Sequence, residues 1–146
     1  MKLIDVNLLL YASNERAPFH HEARAWFDET MSGGEIVALP WAVLLAFVRL
    51  TTNPRVLVDP LPAATAVGIV RSWRDHPTVT VPEPTDRHLD VLEHLLDATG
   101  VGGNLVSDAH IAALAIEHGA TLCSLDNDFA RFPGLNWTNP LRKPPG

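Results

Sequence analysis

A single cysteine, Cys123, occurs in 146 residues. No internal disulfide is available to such a chain, and the neighbours Thr121, Leu122 and Leu125 mark the thiol as core filling in a buried strand rather than a reactive group. No apolar run approaches the roughly 20 residues of a membrane-spanning helix, and the N-terminus lacks the basic, apolar and small-residue series of a secretory signal. A cytoplasmic protein with no membrane partner is expected. Charge is sparse and of the wrong sign for gripping a polyanion: charged residues make up 19% and the net charge is −6. Counterion release needs clustered Lys and Arg, so a nucleic acid has to be met locally. Arg49, Arg55, Arg71, Arg74, Arg131, Arg142 and Lys143 supply a basic patch only if several share one face. Repeats and low-complexity segments are also missing. The apolar content of 47% is that of a globular chain, and the length reads as one domain over 1–146 with a Pro-rich tail from about residue 139.

What the chain does have is aspartate beside short apolar segments. Lys2-Leu3-Ile4 is too short for anything but an interior strand, and Asp5-Val6-Asn7 interrupts it before Leu8-Leu9-Leu10 resumes apolar character. Asp5 therefore stands at a strand's carboxyl end, the edge where ligands bind in open α/β sheets. Near the other terminus, Ala120 to Ser124 reads as a strand that delivers Asp126-Asn127-Asp128 to the same edge. Asp108 falls near the start of a helix from Leu105 to His118, where the positive end of the helix dipole favours a carboxylate.

Between these points strands and helices alternate. Leu8–Ser13 and His20–Met31 read as helices, the second closed by Ser32-Gly33-Gly34. Ile36–Ala38 is a strand candidate. Pro40 opens an apolar helix from Trp41 to Leu50, ended by Thr51-Thr52-Asn53-Pro54. A further helix runs from Pro62 to His76, with Val67, Val70 and Trp73 at helical spacing, and Val79–Val81 is a short strand. Thr85 is positioned to cap a helix to about Ala98 with Leu89, Leu92, Leu95 and Leu96 on one face. Gly100 ends it, and Val101–Asn104 is a loop. Leu135–Thr138 is a last strand candidate. Such alternation implies a mostly parallel sheet covered on both faces.

Asp5, Asp108 and Asp126 then converge on one edge. Without a cation three carboxylates repel one another and any phosphate. With one, oxygen-only ligands suit Mg²⁺ or Mn²⁺, which lowers the pKa of a water and stabilises charge on attacking and leaving oxygens. Phosphodiester hydrolysis is the chemistry this set supports. Each acid taken alone reads as a turn former or helix cap, and it is the three in this order that point to a metal. Asp128 is either ordinary loop chemistry or a further ligand. Asn7 and Ser124 are placed to orient carboxylates or water, or else to cap backbone locally.

At these residues the chain resembles the PIN-domain family, and within it the VapC-type ribonuclease toxins of toxin-antitoxin modules. The likeness is carried by Asp5-Val6-Asn7 after the opening strand, by Ser107-Asp108-Ala109-His110-Ile111-Ala112-Ala113-Leu114-Ala115, by Ser124-Leu125-Asp126 with Asn127-Asp128-Phe129 behind it, and by Phe47-Val48-Arg49-Leu50-Thr51-Thr52-Asn53-Pro54. It spans essentially the whole chain. The resemblance implies a three-layer α/β PIN-like domain and a metal-dependent endoribonuclease in which Asp5, Asp108 and Asp126 hold Mg²⁺ or Mn²⁺ and a metal-activated water cleaves RNA. It further implies pairing as a homodimer and silencing by a small VapB-type antitoxin. Arg49 is a candidate RNA contact, with a helix-surface salt bridge as the alternative.

One departure stands out. The family usually carries a second acid, most often Glu, on the helix read here as Trp41–Thr52, yet the corresponding positions hold Ala42, Leu44, Leu45 and Ala46. Glu35 precedes the preceding strand, on the wrong side to substitute. A second metal is therefore in question, with Asp128 the candidate replacement. Two other readings stay open: a haloacid-dehalogenase-type phosphatase, whose motif places an Asp where this chain has Asn7, and a non-catalytic PIN-like binding module. Of the histidines, His20, His21, His88, His94 and His118 fall on helices without a zinc pattern and read as solvated surface, while His110, two residues past Asp108, points elsewhere on its helix. Trp26, Trp41 and Trp73 read as core or dimer contacts.

Overall fold

The computed structural model describes residues 1–100 and 105–142. Five short strands form one parallel sheet: β1 (Lys2–Ile4), β2 (Val37–Ala38), β3 (Val79–Thr80), β4 (Thr121–Cys123) and β5 (Trp137–Thr138), in the spatial order β3-β2-β1-β4-β5. Lys2, Leu3 and Ile4 face Thr121, Leu122 and Cys123 across the β1–β4 pair, and Lys2 and Leu3 face Val37 and Ala38 on the other side. Leu3, Ile4, Val37, Leu122 and Cys123 have no exposed surface. Burial on both faces explains why these strands are apolar runs rather than alternating ones.

Six helices connect them: α1 (Val6–Ser13), α2 (His20–Ser32), α3 (Trp41–Thr51), α4 (Ala63–Arg74), α5 (His88–Thr99) and α6 (Leu105–Glu117). Helix α1 packs on both α2 and α3, α3 on α4, and α5 on α6, the division that right-handed crossovers demand when the strand order reverses at β1. The reversal puts a crevice at the carboxyl ends of β1 and β4. Pro40 and Pro62 occupy the N-caps of α3 and α4, where a residue without a free N–H costs nothing. Gly119, at φ 65°, turns the chain from α6 into β4, a left-handed conformation that side chains with a Cβ disfavour.

The core joins Phe27, Phe47 and Trp73, with the Trp73 ring 4.7 Å edge-on to Phe47 and 5.7 Å from Phe27. Trp26 packs against this core from its partly buried position. Trp41 instead stays 44% exposed and carries the Arg74 guanidinium 4.9 Å above its ring. Cys123 is buried as expected, and burial pushes its thiol up to about 11.

Several boundaries differ from the sequence reading. Helix α1 begins at Val6, because Asp5 itself caps it. Helix α5 begins at His88, with Arg87 rather than Thr85 at the cap position. Only Leu95 of its leucines is fully buried, and Leu89 is 76% exposed. The Val101–Asn104 loop and Lys143 lie outside the described residues. No helix among the described residues is long and apolar enough to cross a membrane.

Candidate functional site

Asp5 leaves β1 in extended backbone and becomes the N-cap of α1, its Oδ1 accepting the Val6 N–H at 2.8 Å. Its other oxygen accepts the Ser124 hydroxyl at 2.7 Å. Ser124 is fully buried one residue past β4, and its oxygen also accepts from Asn7 Nδ2 and from the Asp126 N–H, each at 3.1 Å. Asn7 Oδ1 in turn accepts the Leu125 N–H at 3.3 Å. Two chain segments that meet only through the β1–β4 pairing are thus tied together by Asp5, Asn7 and Ser124. The indole of Trp137 closes the set by donating to the Ser124 carbonyl at 3.1 Å.

Asp126 caps a 3-10 helix over Asn127–Arg131, with Oδ1 accepting the Asp128 N–H at 2.9 Å. Capping and clustering are therefore not alternatives for Asp5 and Asp126, since a carboxylate has lone pairs enough for both. Burial raises the Asp5 pKa first, against the hydrogen bonds from Ser124 and Val6, and the Asp126 charge adds to the rise. Asp108, in the first turn of α6, is pushed up to about 6 by burial, then by Asp126, Asp5 and Asp128, with Arg131 opposing. The Asp126 charge thus makes Asp5 harder to ionise, and the charges of Asp126 and Asp5 do the same to Asp108.

Asp128 is partly diverted from this group. Arg131 holds it at 2.9 Å on an exposed surface. Glu35 binds the Met1 ammonium at 2.9 Å and Lys2 at 3.5 Å, at the opposite edge of the sheet from Asp5. Helix α3 contributes no carboxylate. Ala42, Leu45, Ala46 and Arg49 face the cavity, whereas Leu44 is fully buried. Three of the basic residues are engaged individually: Arg131 pairs with Asp128, Arg142 donates to Asn127, and Arg74 sits on Trp41. Arg49 alone of those named in the sequence reading lines the cavity.

The cavity, of about 700 Å³, is bounded by Asp5 and Val6, by α3, by the first turns of α6, and by His88 and Leu92 of α5. Asp126 stands beside it rather than in its lining. All-oxygen donors, two of them with pKa values raised by burial and mutual repulsion, fit a hard cation, whose charge would relieve both effects. Among the described residues no three acidic, imidazole or thiol side chains approach closely enough to enclose an ion, so the carboxylates would have to swing inward on binding one.

The histidines depart most from the sequence reading. His20 and His118 bind the carbonyls of Tyr11 and Glu83, each at 2.7 Å. His88 Nδ1 lies 2.5 Å from Glu117 Oε2, and its Nε2 lies 2.9 Å from His110 Nδ1. The Glu117 side chain is 1% exposed. Burial pushes its carboxyl up, but hydrogen bonds from the Thr85 hydroxyl and amide and from His88 outweigh it and hold the group below its usual range. His110 lines the same cavity as Asp108. The spacing from His88 to Glu117 is too long for any local motif, so only the α5–α6 packing reveals the network.

A parallel sheet whose switch point carries a half-buried group of aspartates defines the class: an α/β domain with an acidic cleft at its carboxyl edge. A family model described as the PIN domain matches residues 2–135. The chain is 44% identical over 140 residues to Ribonuclease VapC37 of Mycobacterium tuberculosis, with 96% of this chain and 97% of that protein covered. It is 43% identical over 143 residues to Ribonuclease VapC33 of the same species, covering 98% and 100%. Among solved structures, VapBC2 of Rickettsia felis bound to a DNA fragment from its promoter matches with a TM-score of 0.66 at 18% identity, over 94% of this chain and 97% of that one. Mycobacterium tuberculosis VapC20, a sarcin-ricin loop cleaving toxin, matches with a TM-score of 0.66 at 19% identity, over 93% and 99%. The chain belongs to the PIN-domain family, in its VapC ribonuclease group.

Proposed function

We propose that this protein is the toxin of a type II toxin-antitoxin pair, an endoribonuclease dependent on Mg²⁺ or Mn²⁺, with Asp5, Asp108 and Asp126 as the metal-holding residues. The observation that carries the reading is the elevation of Asp5 by burial and the Asp126 charge, and of Asp108 by burial and the charges of Asp126, Asp5 and Asp128. A chain gains nothing in stability from such an arrangement, and a bound cation reverses its cost. When bound, the metal supplies an activated water and charge stabilisation on the phosphate.

The remaining work falls to the chain's own side chains. Ser124, held in turn by Asn7, orients the Asp5 carboxylate at the end of β1. Arg49, on the α3 wall of the cavity, offers the guanidinium that a phosphodiester needs beside an acidic cluster. Asp128 is a weaker candidate ligand, because Arg131 competes for it. One domain suffices for all of this. A VapB-type antitoxin would bind the acidic cleft with an intruding Arg or Lys and rest apolar side chains on the exposed Trp41 and Leu45, and a homodimer is the expected assembly.

The test is cleavage of single-stranded RNA by a preparation freed of contaminating nuclease. Cleavage that appears with Mg²⁺ or Mn²⁺, stops with chelator, and is lost in Asp5→Asn supports the reading. RNA left intact under all metals points instead to a non-catalytic binding module.

A further inference from the structure

The cleft has a second wall that the acid site does not use. On α6, His110 follows Asp108 by two residues, which turns it by roughly 200° about the helix axis. Its ring nevertheless lines the same cavity, on the side formed with His88 and Leu92. Its Nδ1 is engaged by His88 Nε2 at 2.9 Å, with the two rings edge-on and their centroids 4.9 Å apart. His88 is anchored in turn by Glu117, whose buried carboxylate accepts from Thr85 N at 3.0 Å and Thr85 Oγ1 at 2.6 Å. His88 of α5, Glu117 of α6 and Thr85 in the segment before α5 thus immobilise one imidazole at the cavity wall. Among the described residues, Nε2 of His110 has no hydrogen-bond partner.

The anchoring fixes what that nitrogen can do. An ionised Glu117 only accepts, so His88 Nδ1 carries a hydrogen. The hydrogen between the two rings then decides the state of His110: if His88 carries it as an imidazolium, with one proton more on the pair, His110 presents an Nε2–H donor, and in the neutral pair His110 donates it and Nε2 is a bare acceptor. A phosphate oxygen satisfies only the first state. A hydroxyl, being both donor and acceptor, satisfies either.

Resting on the ribonuclease reading above, we propose that His110 is a specificity-determining residue that hydrogen-bonds the ribose 2′-hydroxyl of a nucleotide adjoining the scissile phosphate, with His88 and Glu117 as its positioning residues. A cation held by the acids would take the phosphate at one side of the cleft, with Arg49 on the α3 wall, and the histidine wall reads the sugar at the other. The 2′-hydroxyl is the group by which a protein distinguishes RNA from DNA at a given site.

The experiment measures binding by fluorescence anisotropy of a short mixed-sequence single-stranded RNA and its 2′-deoxy counterpart, with Ca²⁺ as a hard cation for the oxygen ligands and gels confirming that neither strand is cut. The parent is expected to prefer RNA, and His110→Phe to lose about three- to tenfold of that preference, the worth of one hydrogen bond. DNA affinity should stay within twofold of the parent's, by the same reasoning that no bond to deoxyribose is lost. His110→Gln, which keeps a donor and an acceptor of similar reach, should restore much of the preference, and His88→Phe should reduce it by freeing the His110 ring. Thermal melts confirm that each variant is folded. A role confined to packing would lower RNA and DNA binding together. An unchanged preference in folded His110→Phe overturns the inference while metal-dependent RNA cleavage by the parent still stands. A parent that neither cleaves nor prefers RNA overturns both.

Discussion

The hydroxyl of Ser124 donates to Asp5 Oδ2 at 2.7 Å, joining residues 119 positions apart in the chain. The same oxygen accepts from Asn7 and from the Asp126 backbone, so one buried hydroxyl aligns the ends of β1 and β4. Ser124→Ala should cost about 1 to 3 kcal/mol, because it leaves buried polar partners unsatisfied. It should also lower cleavage with Asp5 still present. Ser124→Thr, if its extra methyl is accommodated, keeps the bond and should recover both properties. Thermal unfolding and RNA cleavage measured on the same preparations check this, and a Ser124→Ala protein with parental activity would remove Ser124 from the positioning of Asp5.

A pH dependence follows from Asp108. Its folded pKa of about 6 lies above the ordinary 3.8, so the folded state binds the proton more tightly. Folding then takes up a proton between those values, and the metal-free protein loses stability as pH rises through that window. Asp108→Asn removes this contribution. The metal-free variant should melt above the parent at neutral pH, with the gap shrinking as pH falls through about 6 towards 3.8. Comparing the two proteins cancels Glu35 and Glu117, whose lowered pKa values act in the opposite direction. Calorimetric melts across this range would show it, and a gap that does not vary with pH would contradict the assigned environment of Asp108.

The sequence made the acid edge legible because each acid adjoins an element with its own local signal. A short apolar run precedes Asp5, a helical period follows Asp108, and a second apolar run precedes Asp126. Parallel order then brings Asp5 and Asp126 to one edge without knowledge of any side-chain contact. The histidine wall was not legible. His88, His110 and Glu117 carry no common spacing, and burial of Glu117 depends on how α5 lies across α6. The exposure of Leu89 reflects the same gap, since helical periodicity predicts a face but not how wide a neighbour covers it. The Thr85 hydroxyl donates to Glu117 and still accepts the Arg87 N–H at 3.2 Å, so it caps a turn that precedes α5 rather than the helix itself, which starts at His88.

The acid missing from α3 leads to a choice of position. Leu44 and Ala46 were equivalent in the sequence, but Leu44 has no exposed surface while Ala46 lines the cavity. Ala46→Glu should therefore raise the affinity for Mn²⁺ and lower the metal concentration needed for cleavage. Leu44→Glu buries a charge without a partner and should unfold or severely destabilise the protein, by several kcal/mol. Titration calorimetry on Ala46→Glu and thermal melts on Leu44→Glu distinguish the positions. An Ala46→Glu protein with parental metal affinity would mean that the cation sits away from α3.

Partner control is tested by co-expression with a small basic protein encoded beside this chain. The two should co-elute on size-exclusion chromatography, and cleavage should return when the partner's penetrating Arg or Lys is replaced by Ala. A chain that elutes alone, with activity unaffected by that neighbour, is not under antitoxin control.

Shared cation binding by Asp5, Asp108 and Asp126 is most directly measured by titrating Mn²⁺ into the metal-free protein and its three Asp→Asn variants by calorimetry, at a pH above the value of about 6 for Asp108. The parent should bind with release of protons, and each variant should lose at least tenfold in affinity, about 1.4 kcal/mol for one charged ligand. Equal Mn²⁺ affinity in the parent and in folded Asp5→Asn, Asp108→Asn and Asp126→Asn would contradict the account.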